Sequence, residues 1–274
     1  MTFTVDFWLK KKRLFPNKGE LPISGISIRN EIDVYDKAET SLTGETGSYD
    51  AAVFPNVIRK REIELIGKVL KTKRPRMILD YGCGGGWLSL LLSRWGYDVV
   101  GIDASIGMIR RAALICHEAD FIVCDAMRLP FREKIFDCMM GISILHHLNL
   151  VKAFQELKRI SSAESRFVFM EPNLLNPLSA IGRKLLPMEQ HTKEEKQFLP
   201  EYLRAAFSLA NFNLERYFAL FFLSFPIARL CRIARVTPHL SLIRIITFLE
   251  NIMEKSPGVS RLNSTIVAIG KTNG

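Results

Sequence analysis

The chain has 274 residues, of which 48% are hydrophobic and 24% charged, and its formal net charge is +10. This composition is ordinary for a soluble globular protein with a sizeable core. The longest apolar stretch, residues 217–228, contains Pro226 and is shorter than the roughly 20 residues that cross a bilayer, so we expect no transmembrane helix.

The first 50 residues lack strong hydrophobic periodicity and contain turn-forming runs such as PNKG and LTGETGSYD. We therefore predict an irregular arm or lid over residues 1–50. The opening MTFTVDFWLKKKRLF places its lysines after its apolar residues, the reverse of a secretory signal, which predicts a cytoplasmic protein. The five cysteines show neither paired metal spacing nor a disulfide framework, and we expect reduced thiols that lie mostly in the core.

From residue 51 onward, predicted helices alternate with predicted strands. The helices cover residues 51–70, 87–96, 109–115, 151–160 and 200–210. The strands cover residues 76–82, 97–103, 119–126, 136–143, 166–172, 211–221 and 264–272. Strands separated by helices in this way predict an α/β domain over residues 51–274, with a parallel sheet covered on both faces.

The run LDYGCGGGW, residues 79–87, lies where the first strand passes into the next helix, at the sheet edge where α/β proteins bind ligands. Glycines there let backbone amides approach a ligand closely. A dinucleotide fingerprint does not fit, because its last glycine would fall on Trp87 or Ser89. A Walker loop ending at Gly270-Lys271-Thr272 does not fit either, because position 265 is threonine. What remains is an acidic residue that ends the strand, followed by a G-x-G-x-G loop.

This loop resembles motif I of the class I S-adenosylmethionine-dependent methyltransferases. Asp103 ends the second strand, Asp125-Ala126 ends the third, and FDCMMGISILHHL resembles the fourth strand and its loop in that family. The resemblance implies a methyltransferase enzyme with S-adenosyl-L-methionine as cofactor and no metal. It also implies a Rossmann-like, mostly parallel seven-stranded sheet with helices on both faces and an antiparallel last strand.

The resemblance further implies which residues hold the cofactor. Asp103 would accept both ribose hydroxyls, Asp125 and the Ala126 amide would meet the adenine edge, and Asp80 would reach the methionine end through water. The candidate cofactor residues are Tyr49, Asp80, Gly82, Cys83, Gly84, Gly86, Asp103, Ala104, Asp125, Ala126, Ile142 and Ser143. Purely structural roles are the alternatives to cofactor binding. Asp80 or Asp103 could cap a helix, Asp125 could start a turn, and Cys83 could be a packing residue.

The acceptor is constrained mainly by what the fourth-strand loop lacks. Family members that methylate exocyclic nitrogens of bases or of glutamine carry an [ND]-P-P-[YF] signature there, and this loop has none. Cytosine-C5 methyltransferases use a Pro-Cys nucleophile, and no cysteine in this chain follows a proline. The LHHL form resembles the small-molecule and lipid branch, which includes quinone and sterol biosynthesis enzymes. His146, His147 and Glu171 are candidate bases for a hydroxyl acceptor, although a structural role for the histidines is an open alternative. An RNA methyltransferase and a non-catalytic cofactor- or nucleic-acid-binding module are the alternative functions.

Two predicted inserts, at about 171–198 and 222–262, depart from a minimal family domain. The second begins near an aromatic run (Phe218, Phe221, Phe222, Phe225) and carries three arginines at helical spacing (Arg229, Arg232, Arg235). This pattern is typical of an interfacial helix, and it predicts peripheral contact with an anionic membrane, at its inner face for a cytoplasmic protein. A buried helix with arginines at its rim is the competing interpretation.

Overall fold

The computed structural model describes residues 55–72, 75–185, 197–234, 238–256 and 258–272. The predicted arm over residues 1–50, with the candidate cofactor residue Tyr49, lies outside these ranges. So does Arg235 of the predicted interfacial helix.

Helices and strands alternate along the described residues. The helices are α1 Pro55–Thr72, α2 Trp87–Arg94, α3 Ile106–Ile115, α4 Leu150–Ile160, α5 Pro177–Leu185, α6 Pro200–Leu209, α7 Ser224–Ala234 and α8 Leu240–Lys255. The strands are β1 Met77–Tyr81, β2 Asp98–Asp103, β3 Asp120–Val123, β4 Phe136–Ile142, β5 Ser161–Pro172, β6 Phe212–Leu220 and β7 Thr265–Thr272. Short 3₁₀ turns cover Leu145–His147 and Val259–Leu262.

The strands form one seven-stranded sheet in the order β3-β2-β1-β4-β5-β7-β6. The pairs among β1 to β5 are parallel, whereas β7 is antiparallel to both β5 and β6. This arrangement confirms the predicted mostly parallel sheet with an antiparallel last strand. Since β6 runs parallel to β5, the carboxyl ends of β1, β4, β5 and β6 all lie at one edge of the sheet, which we call the carboxyl edge.

Alternate residues of the strands build two separate apolar cores, one on each face of the sheet. Cys138 and Met140 of β4 join the core that includes α1 and α2 side chains. Met139, between them, joins the opposite core with Phe167 and Phe207. Burial on both faces explains why these strands read as continuous apolar runs. The cysteines are free thiols, four buried and Cys124 half-buried, as the sequence predicted.

The aromatic run at the start of the second insert packs inward. Phe221 is fully buried, its ring meets that of Phe225 at 5.4 Å and 77°, and Phe218 packs against the same core. Phe221 is therefore a core residue, and Phe218 and Phe225 pack against the core, whereas the sequence suggested that these side chains face lipid. Arg229 and Arg232 do lie on a helix, α7. Among the described residues, no helix is long and apolar enough to cross a membrane.

The topology places both inserts at the same edge of the sheet as the glycine loop, residues 82–86. The first insert follows the carboxyl end of β5, and the second joins the carboxyl end of β6 to the first residues of the antiparallel strand β7. Both therefore start at the carboxyl edge. This edge is where the candidate site must be sought.

Candidate functional site

The loop between β1 and α2 depends on glycine at several positions. Gly82, Gly84 and Gly86 have φ angles of +75°, +50° and +86°, which L side chains rarely adopt. A Cβ at Gly82 would lie 2.6 Å from Ile144, and one at Gly86 would lie 2.7 Å from the Cβ of Ala112. At Gly84 a Cβ would meet no atom of the described residues within 4 Å. The loop thus turns tightly against the protein on two sides and leaves open space beside Gly84.

Asp103, the last residue of β2, ties this loop to the start of α3. The backbone N–H of Gly84 donates to Oδ2 at 3.0 Å, and the N–H of Ser105 donates to Oδ1 at 2.8 Å. Ser105, not Asp103, caps α3 by accepting from the N–H of Met108. The helix-cap interpretation of Asp103 is therefore wrong. Each carboxylate oxygen keeps a second lone pair for a ligand hydroxyl, and the neighbouring Ala104 is exposed.

Asp80 is 2% exposed and lies beneath the glycine loop. The Ser89 hydroxyl, in the first turns of α2, donates to Oδ2 at 2.6 Å. Burial raises the pKa of Asp80 to about 7, the Ser89 hydrogen bond opposes this rise, and the nearby charge of Asp103 adds to it. A carboxyl group poised in this way gains charge readily when a cation approaches. Burial likewise raises the pKa of the Cys83 thiol far above its ordinary value, which fits a packing residue.

Asp125 lies in the turn that follows β3. Its side chain is exposed, and Oδ1 accepts from the Met127 N–H at 2.8 Å, so the turn interpretation is confirmed. The carbonyl of Ala126 accepts from the hydroxyl of Tyr81 at 2.6 Å, which fixes this turn to the end of β1. Tyr81 was not predicted to take part in the site. Its hydroxyl group is the one feature in the sequence that indicates a hydrogen-bonding role. Contact of Asp125 and Ala126 with adenine remains a prediction.

The segment after β4 is organised by one buried carboxylate. Ser143 has a φ of +57°, and its N–H donates to the Met170 carbonyl at 2.8 Å, which turns the chain sharply after Ile142. Glu171, at the end of β5, is 0% exposed. Three successive amides donate to its carboxylate: Ile144 at 2.9 Å, Leu145 at 2.8 Å and His146 at 3.3 Å. Glu171 therefore holds the 3₁₀ turn at the carboxyl edge.

The same carboxylate also binds the imidazole of His146. Nδ1 lies 2.8 Å from Glu171 Oε2, and the His146 side chain is 7% exposed. Because three amides already donate to the Glu171 carboxylate, we infer that a neutral imidazole also donates to it from Nδ1, which leaves Nε2 as the acceptor. His147 is exposed, and its ring centre lies 4.0 Å from that of His146. The structure thus separates the three candidate bases: His146 is oriented, Glu171 is enclosed by donors, and His147 faces solvent.

Residues 79–169 match the family model described as a methyltransferase domain. The matched span runs from β1 into β5, and it contains the glycine loop, Asp103, Asp125 and the 3₁₀ turn. Over these residues the chain is similar to methyltransferase domains. Among the residues that the structure describes, no three His, Cys, Asp or Glu side chains are grouped so that they could hold a metal ion.

Curated relatives resemble this domain over part of their length. A demethylmenaquinone methyltransferase of Thermotoga maritima is 30% identical over 116 residues, which cover 41% of this chain and 49% of that protein. A tRNA (carboxymethyluridine(34)-5-O)-methyltransferase of Arabidopsis thaliana is 37% identical over 91 residues, 31% of this chain and 21% of that protein. The chain therefore spans about half of the first relative and about a fifth of the second.

The fold extends beyond the matched span. A SAM-dependent methyltransferase from Archaeoglobus fulgidus superposes with a TM-score of 0.56 at 18% identity, covering 88% of this chain and 99% of that one. The similarity shows that the two chains share the fold.

Proposed function

We propose that this methyltransferase uses S-adenosylmethionine to methylate a hydroxyl group of a small or lipid-like acceptor. The observation that carries the proposal is the junction of two arrangements at the carboxyl edge. One is the glycine loop whose Gly84 amide is bound to Asp103. The other is the His146 imidazole held by the buried Glu171.

The described residues fit the cofactor. The open space beside Gly84 admits a ligand close to the backbone, and Asp103 retains lone pairs for two ribose hydroxyls. Asp80, with its raised pKa, would become charged opposite the ammonium of the methionine end. The adenine edge falls to Asp125 and the Ala126 amide. When bound, the cofactor supplies an activated methyl group that needs no metal to be displaced.

The chain's own contribution to the reaction is positioning and proton acceptance. Nε2 of His146 would take the proton of an acceptor hydroxyl, while Glu171 keeps the proton on Nδ1 and stabilises the imidazolium that forms. Three backbone amides bound to the same carboxylate fix the turn, so the base does not have to be ordered during each reaction. Glu171 is a positioning residue in this proposal.

RNA is the second candidate acceptor. The net charge of +10 and the similarity to a tRNA methyltransferase favour it. The missing base-specific signatures count against base methylation, and they leave ribose hydroxyls as targets. The demethylmenaquinone relative, together with the LHHL segment, supports the small-molecule or lipid-like acceptor.

The test is transfer of label from methyl-labelled cofactor into a cell extract that is then separated into lipid, RNA, protein and small molecules. We expect label in the lipid or small-molecule fraction. Label in RNA would establish the second candidate instead, and cofactor binding without any transfer would indicate a non-catalytic module. The negative control is Asp103→Ala, which should weaken cofactor binding by about thirtyfold, or roughly 2 kcal/mol, in calorimetry.

A further inference from the structure

Helix α8 exposes a continuous row of large apolar side chains. The exposed fractions are 44% for Leu242, 56% for Ile245, 65% for Phe248, 39% for Leu249 and 48% for Ile252. Their spacing along a helix of 3.6 residues per turn places them on one face. We call these five residues the α8 stripe. Contiguous exposed apolar surface of this kind marks an interaction site more often than a scattered single residue does.

The opposite face of α8 fixes the helix to the domain. Glu250 is buried and accepts from three backbone amides at the start of α7: Phe222 at 2.7 Å, Leu223 at 2.9 Å and Ser224 at 2.6 Å. Arg61 of α1 donates to Asn251 Oδ1 at 2.8 Å and pairs with Glu254. Ile246 is buried against Cys231. The outward direction of the α8 stripe is therefore set by specific contacts of the inner face.

The charged side chains that α8 itself exposes have one sign. Arg244 and Lys255 are exposed and, at 100° per residue, lie about 20° apart on one flank of the stripe, beside Phe248. Both glutamates of the helix face inward: Glu250 is buried and the Glu254 side chain is 8% exposed. Within α8, the exposed face thus combines apolar side chains with a cationic border, and neither of the helix's two glutamates lies on it.

This charge pattern favours an anionic lipid surface over a second copy of the chain as the partner of the α8 stripe. In a two-fold contact between antiparallel copies of the α8 stripe, Arg244 of each copy would approach Lys255 of the other, and like charges repel. An anionic lipid surface matches both the apolar side chains and the cationic flank of the α8 stripe. The apolar side chains would insert among the acyl chains, and the anionic headgroups would attract Arg244 and Lys255. The second insert, which contains α8, starts and ends at the carboxyl edge.

We propose that the α8 stripe docks on an anionic lipid bilayer and brings the carboxyl edge to the membrane surface. The inference rests on the proposed function in one respect, since it would give the enzyme access to a lipid-like acceptor. The docking surface differs from the one suggested by the sequence, three of whose four phenylalanines lie in the core or pack against it. It is carried by α8, a helix that the sequence did not predict.

The test is co-sedimentation of the full chain, without cofactor, with vesicles of phosphatidylglycerol and phosphatidylcholine (1:1) and with vesicles of phosphatidylcholine alone. We expect binding to the anionic vesicles that weakens with salt, and at least tenfold weaker partitioning for Phe248→Glu/Ile252→Glu. Arg244→Gln/Lys255→Gln should weaken partitioning to anionic vesicles by roughly tenfold and leave the neutral vesicles unaffected. The matched control is Leu114→Glu/Leu209→Glu, which adds the same charges at positions 66% and 89% exposed on α3 and α6 and should bind as the wild type does.

Circular dichroism and thermal unfolding confirm that each variant is folded before its partitioning is compared. A wild-type chain that stays in the supernatant with anionic vesicles at low salt would overturn the proposal, and so would stripe variants that bind as tightly as wild type. If sedimentation shows a wild-type dimer that Phe248→Glu/Ile252→Glu converts to a monomer, and neither form binds vesicles, the α8 stripe is an interface between copies instead. Because no methyl transfer enters this assay, docking and the proposed reaction fail separately.

Discussion

At the scale of single residues, two buried carboxylates each collect three backbone amides, and only one of them also binds a histidine. Glu171 receives the amides of the 3₁₀ turn and the His146 imidazole, whereas Glu250 receives the amides at the start of α7. Loss of a buried acceptor costs about 1–3 kcal/mol for the group left unsatisfied. Comparing substitutions of Glu171 and Glu250 therefore distinguishes a contribution to stability from the orientation of the His146 imidazole.

We expect Glu171→Gln and Glu250→Gln both to lower the free energy of unfolding, by about 1–3 kcal/mol each in urea titrations. Only Glu171→Gln should change the protonated nitrogen of His146, because a glutamine amide offers both a donor and an acceptor to Nδ1. Nitrogen-15 spectra of histidine-labelled protein report this: Nδ1–H alone in wild type and Glu250→Gln, and a mixture of tautomers in Glu171→Gln. Identical spectra in the three proteins would remove the orienting role of Glu171.

Asp80 gives a pH dependence whose sign can be worked out. Its pKa is raised to about 7 in the folded protein, from an ordinary value of 3.8. Below about pH 4 the group is protonated in both states and its contribution to stability is complete. As the pH rises towards 7, the unfolded chain loses this proton first, so the contribution declines, by up to about 1.4 kcal/mol per pH unit.

Asp80→Asn has no group to titrate at this position and should lack the decline. Thermal midpoints measured from pH 4.5 to 8 should therefore fall for the wild type relative to Asp80→Asn. The control is Asp98→Asn, at an exposed position at the start of β2. The thermal midpoint of this variant should change with pH as that of the wild type does. A constant difference between wild type and Asp80→Asn would show that Asp80 does not titrate in this range.

At the scale of elements, the strand-loop-helix unit from β1 to α2 uses its glycines for different reasons. Gly86 has a positive φ, and a Cβ there would press on Ala112, so Gly86→Ala should destabilise the fold by several kcal/mol. Gly84 also has a positive φ, but its surroundings are open, so Gly84→Ala should cost only about 1 kcal/mol. A methyl group at Gly84 projects into the space proposed for the cofactor.

Gly84→Ala should accordingly lower the affinity for S-adenosylhomocysteine at least tenfold while the thermal midpoint changes little. Calorimetric titration and thermal unfolding of the same preparations give the two quantities. Gly86→Ala should show the larger loss of midpoint. Normal affinity in Gly84→Ala would place the ligand elsewhere along the carboxyl edge.

The elements that the sequence predicted well are those whose signals are local. Seven strands and the helix Pro200–Leu209 appear within a few residues of their expected positions, since apolar runs and glycines mark them directly. Strand β5 begins earlier than expected, at Ser161, because its first residues are polar and their pairing with β4 depends on a distant strand. Helix α8 was missed because both its faces carry apolar residues, Ile246 inward and Ile245 outward, which hides the helical period.

In the candidate site, too, the positions with local sequence signals were predicted and the long-range contacts were not. The positions of Asp80, Asp103 and Asp125 follow from the ends of strands, so the sequence brings them to one edge. The partners of Glu171 lie 25 to 27 residues away in the chain, and no spacing rule connects them. Glu171 is consequently a candidate base in the sequence and a buried positioning group in the structure.

At the scale of the whole molecule, the carboxyl edge and the α8 stripe belong to one body, so a docked stripe would keep the site close to a lipid surface. Residence on a surface raises the local concentration of an acceptor dissolved in that surface. Dispersing the same acceptor in a neutral detergent removes this advantage without changing the chemistry. The two proposals together therefore predict that the physical form of the acceptor controls the rate.

We expect faster label transfer into a total lipid extract presented in phosphatidylglycerol-containing vesicles than into the same extract dispersed in neutral detergent. Phe248→Glu/Ile252→Glu should lose most of the rate with vesicles and match the wild type in detergent, because its cofactor site is unchanged. Leu114→Glu/Leu209→Glu should equal the wild type in both media, and 0.5 M NaCl should lower only the vesicle rate, since it screens the attraction of Arg244 and Lys255 to the headgroups. Equal losses in vesicles and detergent would mean that the α8 stripe supports the catalytic domain itself rather than its contact with lipid.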